Sequence, residues 1–117
     1  MDIEKFNGLV DGACVRIRSM LLSKGMEYTR GDDRLHNFKT AGRVMKVTPE
    51  AALMGMDLKH RVSLMDMVKD LEVGTLPSPA TVSEKIGDSI NYLILLEALF
   101  MERIDREEDQ MELPLVK

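Results

Sequence analysis

The sequence predicts an all-α fold, four helices packed as an antiparallel bundle, on three observations. Apolar residues recur at spacings of three and four along most of the chain. No stretch alternates with the period of two that marks a half-buried strand, and glycine or proline clusters divide the periodic segments into four with short links between them.

Each helix has its own grounds. Ile3, Phe6, Leu9, Val10, Ala13, Ile17, Met20 and Leu21 define an amphipathic helix over about residues 2–24, which Gly25 is placed to end. The polar turn Tyr28-Thr29-Arg30-Gly31-Asp32 leads into a shorter helix over about 33–45, with Asp32 or Asp33 as its cap. Thr48-Pro49-Glu50 supplies a capping hydroxyl, a proline suited to the first turn and an acid at the positive end of the dipole, so a third helix starts there and runs to about Asp70. Gly74 to Pro79 breaks the pattern, and Thr81-Val82-Ser83-Glu84 has the spacing of a capping box ahead of a fourth, longest helix reaching about Glu108. These bounds give one domain over 1–110 and a flexible tail over 111–117. The run from Ile90 to Met101 is apolar nearly all round, more than three partner helices can cover. Completion of the bundle by dimerisation, or by a higher homo-oligomer, is therefore expected.

Composition excludes several functions. A chain of 117 residues suits one compact domain, and a net charge of −4 with both signs interspersed points away from duplex nucleic acid and from anionic membrane surfaces. No segment approaches 18 uninterrupted apolar residues and the amino terminus lacks a basic stretch followed by an apolar run, so a soluble, cytoplasmic protein is expected. Cys14, alone among Ala13, Val15 and Ile17, reads as a core thiol in a reduced compartment. The chain has no glycine-lysine-serine phosphate loop, no paired cysteines or histidine cluster for zinc, and no evident triad.

Polar groups set into apolar seams mark the candidate site. On a helical projection Glu84, Asp88 and Asn91 fall within about 60° of one another, in line with Leu95, Ala98 and Leu99. Asp57 and His60 share a face with Leu53, Leu64 and Val68 on the third helix. An unpaired buried charge costs several kcal/mol or more, so these groups need cations, hydrogen bonds, a metal or a ligand. The second helix adds Asp33, Arg34 and Asn37, with Arg34 and Phe38 one turn apart. Arg34, Lys59 and Lys39 would supply positive charge beside carboxylates able to hold magnesium, a combination suited to a nucleotide whose base could stack on Phe38, Tyr28 or Tyr92. Each residue also has a purely architectural reading. Glu84 occupies a capping-box position, Asp88 could pair with Lys59 or Arg34, His60 could be a satisfied core histidine, and Asn91 and Tyr92 could bond across helices.

The stretch Tyr28-Thr29-Arg30-Gly31-Asp32-Asp33-Arg34-Leu35-His36-Asn37-Phe38, then Lys59-His60, then Glu84-Lys85-Ile86-Gly87-Asp88-Ser89-Ile90-Asn91-Tyr92-Leu93-Ile94-Leu95-Leu96, resembles small bacteriophage and prophage proteins of the nucleotide-modification-associated domain family. More distantly it is similar to the MazG-like all-α nucleoside triphosphate pyrophosphatases. The resemblance covers about residues 24–103. It implies a MazG-like helical scaffold that handles nucleotides in an infected bacterium, with magnesium ions held by acids on two helices. Asp88 matches the aspartate of the second metal-binding motif, Glu84 stands one residue farther from it than the usual glutamate, and Lys85 takes that glutamate's place. The paired glutamates of the first motif are missing, since the third helix offers Asp57, Lys59 and His60. A depleted magnesium site, with Glu84 and Asp88 its remaining ligands, favours binding over hydrolysis.

The favoured reading is therefore a phage-encoded protein that binds, and sequesters without catalysis, a nucleotide such as a cyclic defence signal. Arg34, Lys59 and Lys85 would contact phosphate, and Asp33, Asn37, Asp88 and Asn91 would orient the ligand. The alternatives are a magnesium-dependent nucleotide pyrophosphohydrolase and a structural interaction module.

Overall fold

Four α-helices make up the fold: α1 (Ile3–Tyr28), α2 (His36–Met45), α3 (Pro49–Asp70), continued by a 3₁₀ turn over Leu71–Val73, and α4 (Pro79–Leu115). The computed structural model describes the backbone of residues 1–115, and the side chains of these except Lys24, Met26, Tyr28 and 108–115. Among the described residues there is no strand, only one isolated bridge between Arg30 and Asp33.

Local chemistry explains where the helices begin and end. The Asp2 carboxylate accepts from the Lys5 N–H at 2.7 Å and caps α1. Gly25 keeps a helical conformation, so α1 does not stop near residue 24 but continues to Tyr28, where Thr29 closes it by donating its N–H to the Gly25 carbonyl. Asp33 does not enter α2. Its carboxylate accepts from the Leu35 N–H at 3.0 Å in a turn that holds Gly31 at φ 61°, which delays the helix to His36. Thr48 and Pro49 start α3 as the sequence indicates, with the Thr48 hydroxyl accepting from Ala51 N–H at 3.1 Å. The same Ser/Thr-Pro arrangement overrides the capping box expected at Thr81. Ser78 accepts from Thr81 N–H at 3.1 Å and α4 begins at Pro79, so Thr81 is inside the helix and Glu84 is not a capping residue. Helix α4 continues past Glu108 to Leu115, where a tail over 111–117 was expected, and residues 116 and 117 lie outside the described residues.

Packing centres on an antiparallel pair. Glu50 near the start of α3 receives two hydrogen bonds from Arg103 on α4, at 2.6 and 2.9 Å, while His60 lies 3.6 Å from Asp88 ten residues further along α3. Between these ties Leu53 and Leu99 are buried with Leu35 and Phe38, against Met56, Tyr92 and Leu95. Helix α2 completes this corner, and Lys39 bridges to Glu102 at 2.6 Å and Asp33 at 2.9 Å. Gly42 lets α2 meet the following link, since a Cβ there would sit 2.9 Å from the Val47 carbonyl oxygen and 3.0 Å from Pro49 N.

Helix α1 is the exception. It packs on α4 through half-buried Ala13, Ile17 and Leu21 and makes no extended interface with α3. Its seam, expected to be core, leaves Ile3, Phe6, Leu9, Val10 and Met20 exposed, and Cys14, expected inside, is exposed as well. Val68 on α3 likewise faces outward. The radius of gyration is 18.3 Å, against about 13 Å for a compact chain of this length. Among the described residues no helix is long and apolar enough to cross a membrane.

Two glycine substitutions should separate close approach from open helix. Gly42→Ala is expected to lower stability by about 1–3 kcal/mol in urea unfolding, whereas Gly55→Ala, in the interior of α3 with nothing within 4 Å of its Cβ, should raise it by about 0.5–1 kcal/mol. A pH series tests the ties at the rim. Arg103 holds the Glu50 carboxyl below its ordinary 4.5, and Lys39 holds Asp33 below 3.8. Both depressed groups therefore stabilise the fold above those values, and that contribution is lost as pH falls through the lowered ones. The melting temperature should drop on acidification below about pH 4.5, less steeply in Glu50→Gln.

Candidate functional site

The last turns of α1, the length of α2, the middle of α3 and the centre of α4 line a half-open cavity of about 710 Å³, a size typical of small-molecule sites. Met20, Leu21, Met56 and Leu95 give it an apolar lining, and Arg34, Lys59, His60, Asp88 and Asn91 are among the polar groups on its wall.

Arg34 is held by the backbone of α1. Its Nη2 reaches the Leu21 carbonyl oxygen at 3.5 Å, and the side chain crosses Gly25 so closely that a Cβ there would lie 2.8 Å from Nε. Among the described residues Nη1 is buried without a hydrogen-bond partner, and no carboxylate pairs with this guanidinium. On α4 the Asn91 Oδ1 is also buried and unpartnered. Such groups cost about 1–3 kcal/mol each, more when charged, unless something satisfies them.

Asp88 pairs with His60 rather than with Lys59 or Arg34, which leaves both fixed cations to the cavity. The His60 ring lies 5.0 Å from Tyr92 at a tilt of 41°, and Tyr92 meets Phe38 edge to face at 6.3 Å. Among the described residues Asp88 is the one carboxylate lining the cavity, so Arg34 and Lys59 make the wall positive in a chain whose net charge is −4. A guanidinium fork and an ammonium suit phosphate or carboxylate, and the Asn91 oxygen awaits a donor.

The cavity thus gathers Arg34, Asn37, Phe38, Lys59, His60, Asp88, Asn91 and Tyr92. Phe38 is only 7% exposed and serves as a core-facing wall, which leaves its ring little surface for stacking on a base. Of the other expected residues, Asp33, Glu84 and Lys85 are not brought to this wall. Asp33 is taken by Lys39 and the Leu35 N–H. Lys85 is half-buried and lines neither this cavity nor its neighbour, and the Tyr28 side chain lies outside the described residues. Glu84 is exposed and borders a second groove, of about 840 Å³, where Leu9, Ala13 and Ile17 of α1 meet Val82, Ile86 and Ile90 of α4. Met20, Asp88 and Asn91 line both spaces. Glu84 and Asp88, expected to share a magnesium ion, gain no third ligand: among the described residues no three His, Cys, Asp or Glu side chains converge. Asp57, equally polar in sequence, is buried beside Arg61, which donates to it at 3.0 Å.

Sequence reasoning missed Gly25, His36 and the Met20-Leu21 wall. His36 carried a legible signal, being the histidine one turn before Thr40, whose hydroxyl is 3.3 Å from its Nε2. Gly25 carried none, because a glycine near a helix end usually marks the end.

No protein-family model, curated protein or solved structure matches this chain. The unpaired atoms give a direct test. Asn91→Leu, which removes the orphaned oxygen, should unfold at the same urea concentration as the parent or a higher one, gaining up to about 2 kcal/mol. A clear loss of stability would mean that the amide is satisfied within the fold.

Proposed function

We propose that this protein binds a nucleotide through its phosphate groups and holds it without turning it over, as a phage-encoded sequestering protein in the cytoplasm of an infected bacterium. The observation that carries the reading is the buried guanidinium edge of Arg34, unpaired in a positive cavity of ligand size. Lys59 would add a second phosphate contact, and His60 and Tyr92 would offer ring surface to a base or sugar. Asn91 would accept from a ring N–H or a hydroxyl. The scaffold on this reading is a MazG-like bundle, and a cyclic nucleotide used as a defence signal is the ligand class that best explains a binding site with few acids. The placement of the acids supports sequestration over magnesium-dependent hydrolysis: Asp88 is engaged by His60, Asp57 by Arg61, and Glu84 opens on the other groove.

A thermal-unfolding screen with nucleoside triphosphates and cyclic di- and trinucleotides tests this. A ligand at 100 times its dissociation constant should add about 2.7 kcal/mol, and Arg34→Met should abolish the shift while leaving helicity intact. Gly25→Ala, which pushes the guanidinium aside, should weaken binding in the same screen. Ligand recovered unchanged after heat release is the expected outcome. Magnesium-dependent pyrophosphate release that disappears in Asp88→Asn would instead establish the hydrolase, and absence of any shift would leave a structural interaction module.

A further inference from the structure

We infer that the open face formed by α1 and the first half of α4 is where a second copy of this chain docks. The argument is independent of what the cavity holds. The chain exposes 8990 Å², whereas a compact protein of its 13.2 kDa exposes about 6,400 Å². The excess, near 2,600 Å² per chain, gives a pair of copies an amount in the range that obligate homodimers bury.

Exposed apolar side chains occur on every helix, and those of α1 and the start of α4 have a shape that a second copy can match. On one side stands a ridge, the first turns of α1, where Ile3, Phe6 and Val10 are 79%, 55% and 41% exposed. Beside it runs the groove between α1 and α4, floored by Ala13, Ile17 and Ile90 and edged by Leu9 and Ile86. Because α1 carries both ridge and groove wall, a two-fold arrangement can seat each copy's ridge in the other's groove, which is what an isologous contact requires. An unrelated partner would explain one exposed face, but it would not explain why a single helix bears two matching halves.

Sedimentation of the full chain at micromolar concentration tests the inference. The expected mass is at least twice 13.2 kDa, and Phe6→Glu and Ile86→Glu should each raise the dissociation constant about tenfold or more. Both side chains are exposed in the single copy, so circular dichroism should be unchanged in either variant. A parent that sediments as a monomer overturns the inference, leaving the face to another protein, and so does an oligomer that both variants preserve. If a variant loses helicity, hydrogen exchange of the parent decides. Protection over residues 3–20 and 82–90 that rises with concentration supports the inference, and protection confined elsewhere refutes it.

Discussion

The antiparallel clasp of α3 on α4 is the constraint on which the rest depends. Arg103 grips Glu50 at one end, His60 meets Asp88 at the other, and Leu53 and Leu99 are sealed between. That arrangement fixes the register of α3 against α4, and α2 can then fold over one corner with Phe38 inserted beside Tyr92. The two ties differ in kind. The Arg103–Glu50 contact is a two-pronged bond at the rim, whose strength comes from geometry more than from burial, whereas the His60–Asp88 contact is part of the cavity wall. One end of the clasp ties the rim, and the other lines the cavity.

The cavity carries a standing energetic penalty. A protein selected for stability alone would place an apolar side chain at position 91 and pair or replace Arg34, yet both keep buried polar atoms without partners. Gly25 adds to the same cost, since glycine near the end of a 26-residue helix weakens it, and its missing side chain is the space through which the arginine passes. Arg34 and Asn91 line the same cavity, whereas Asp57 Oδ1 and Ser89 Oγ, also buried without partners among the described residues, lie away from it.

Much of the fold was legible in the sequence. The periodicities of α1, α3 and α4 locate three helices, and Thr48-Pro49 places the start of α3 to the residue. The start of α4 was misread because two capping patterns overlap, and the serine before Pro79 prevails over the threonine three residues after it. The helical projection found Asp88 and Asn91 correctly as inward-facing, but it placed Glu84 with them, because a projection shows which side a residue occupies and not which neighbour stands there. At Glu84 the neighbour is α1, and the groove is a different one. Asp33 was unreadable for a similar reason, since Lys39, six residues on, reaches back to it across the start of α2. The α1 seam is the largest discrepancy. Its pattern declares a face that seeks cover, and nothing in the pattern says whether the cover lies in the same chain.

The partition made of Met20, Asp88 and Asn91 has two sides, and these three residues line both spaces. A carboxamide has an oxygen at one end and a nitrogen at the other, so turning it to suit one occupant reverses what it offers across the partition. Any influence that occupancy of one space has on the other, carried by these shared side chains, must be returned with equal magnitude and sign.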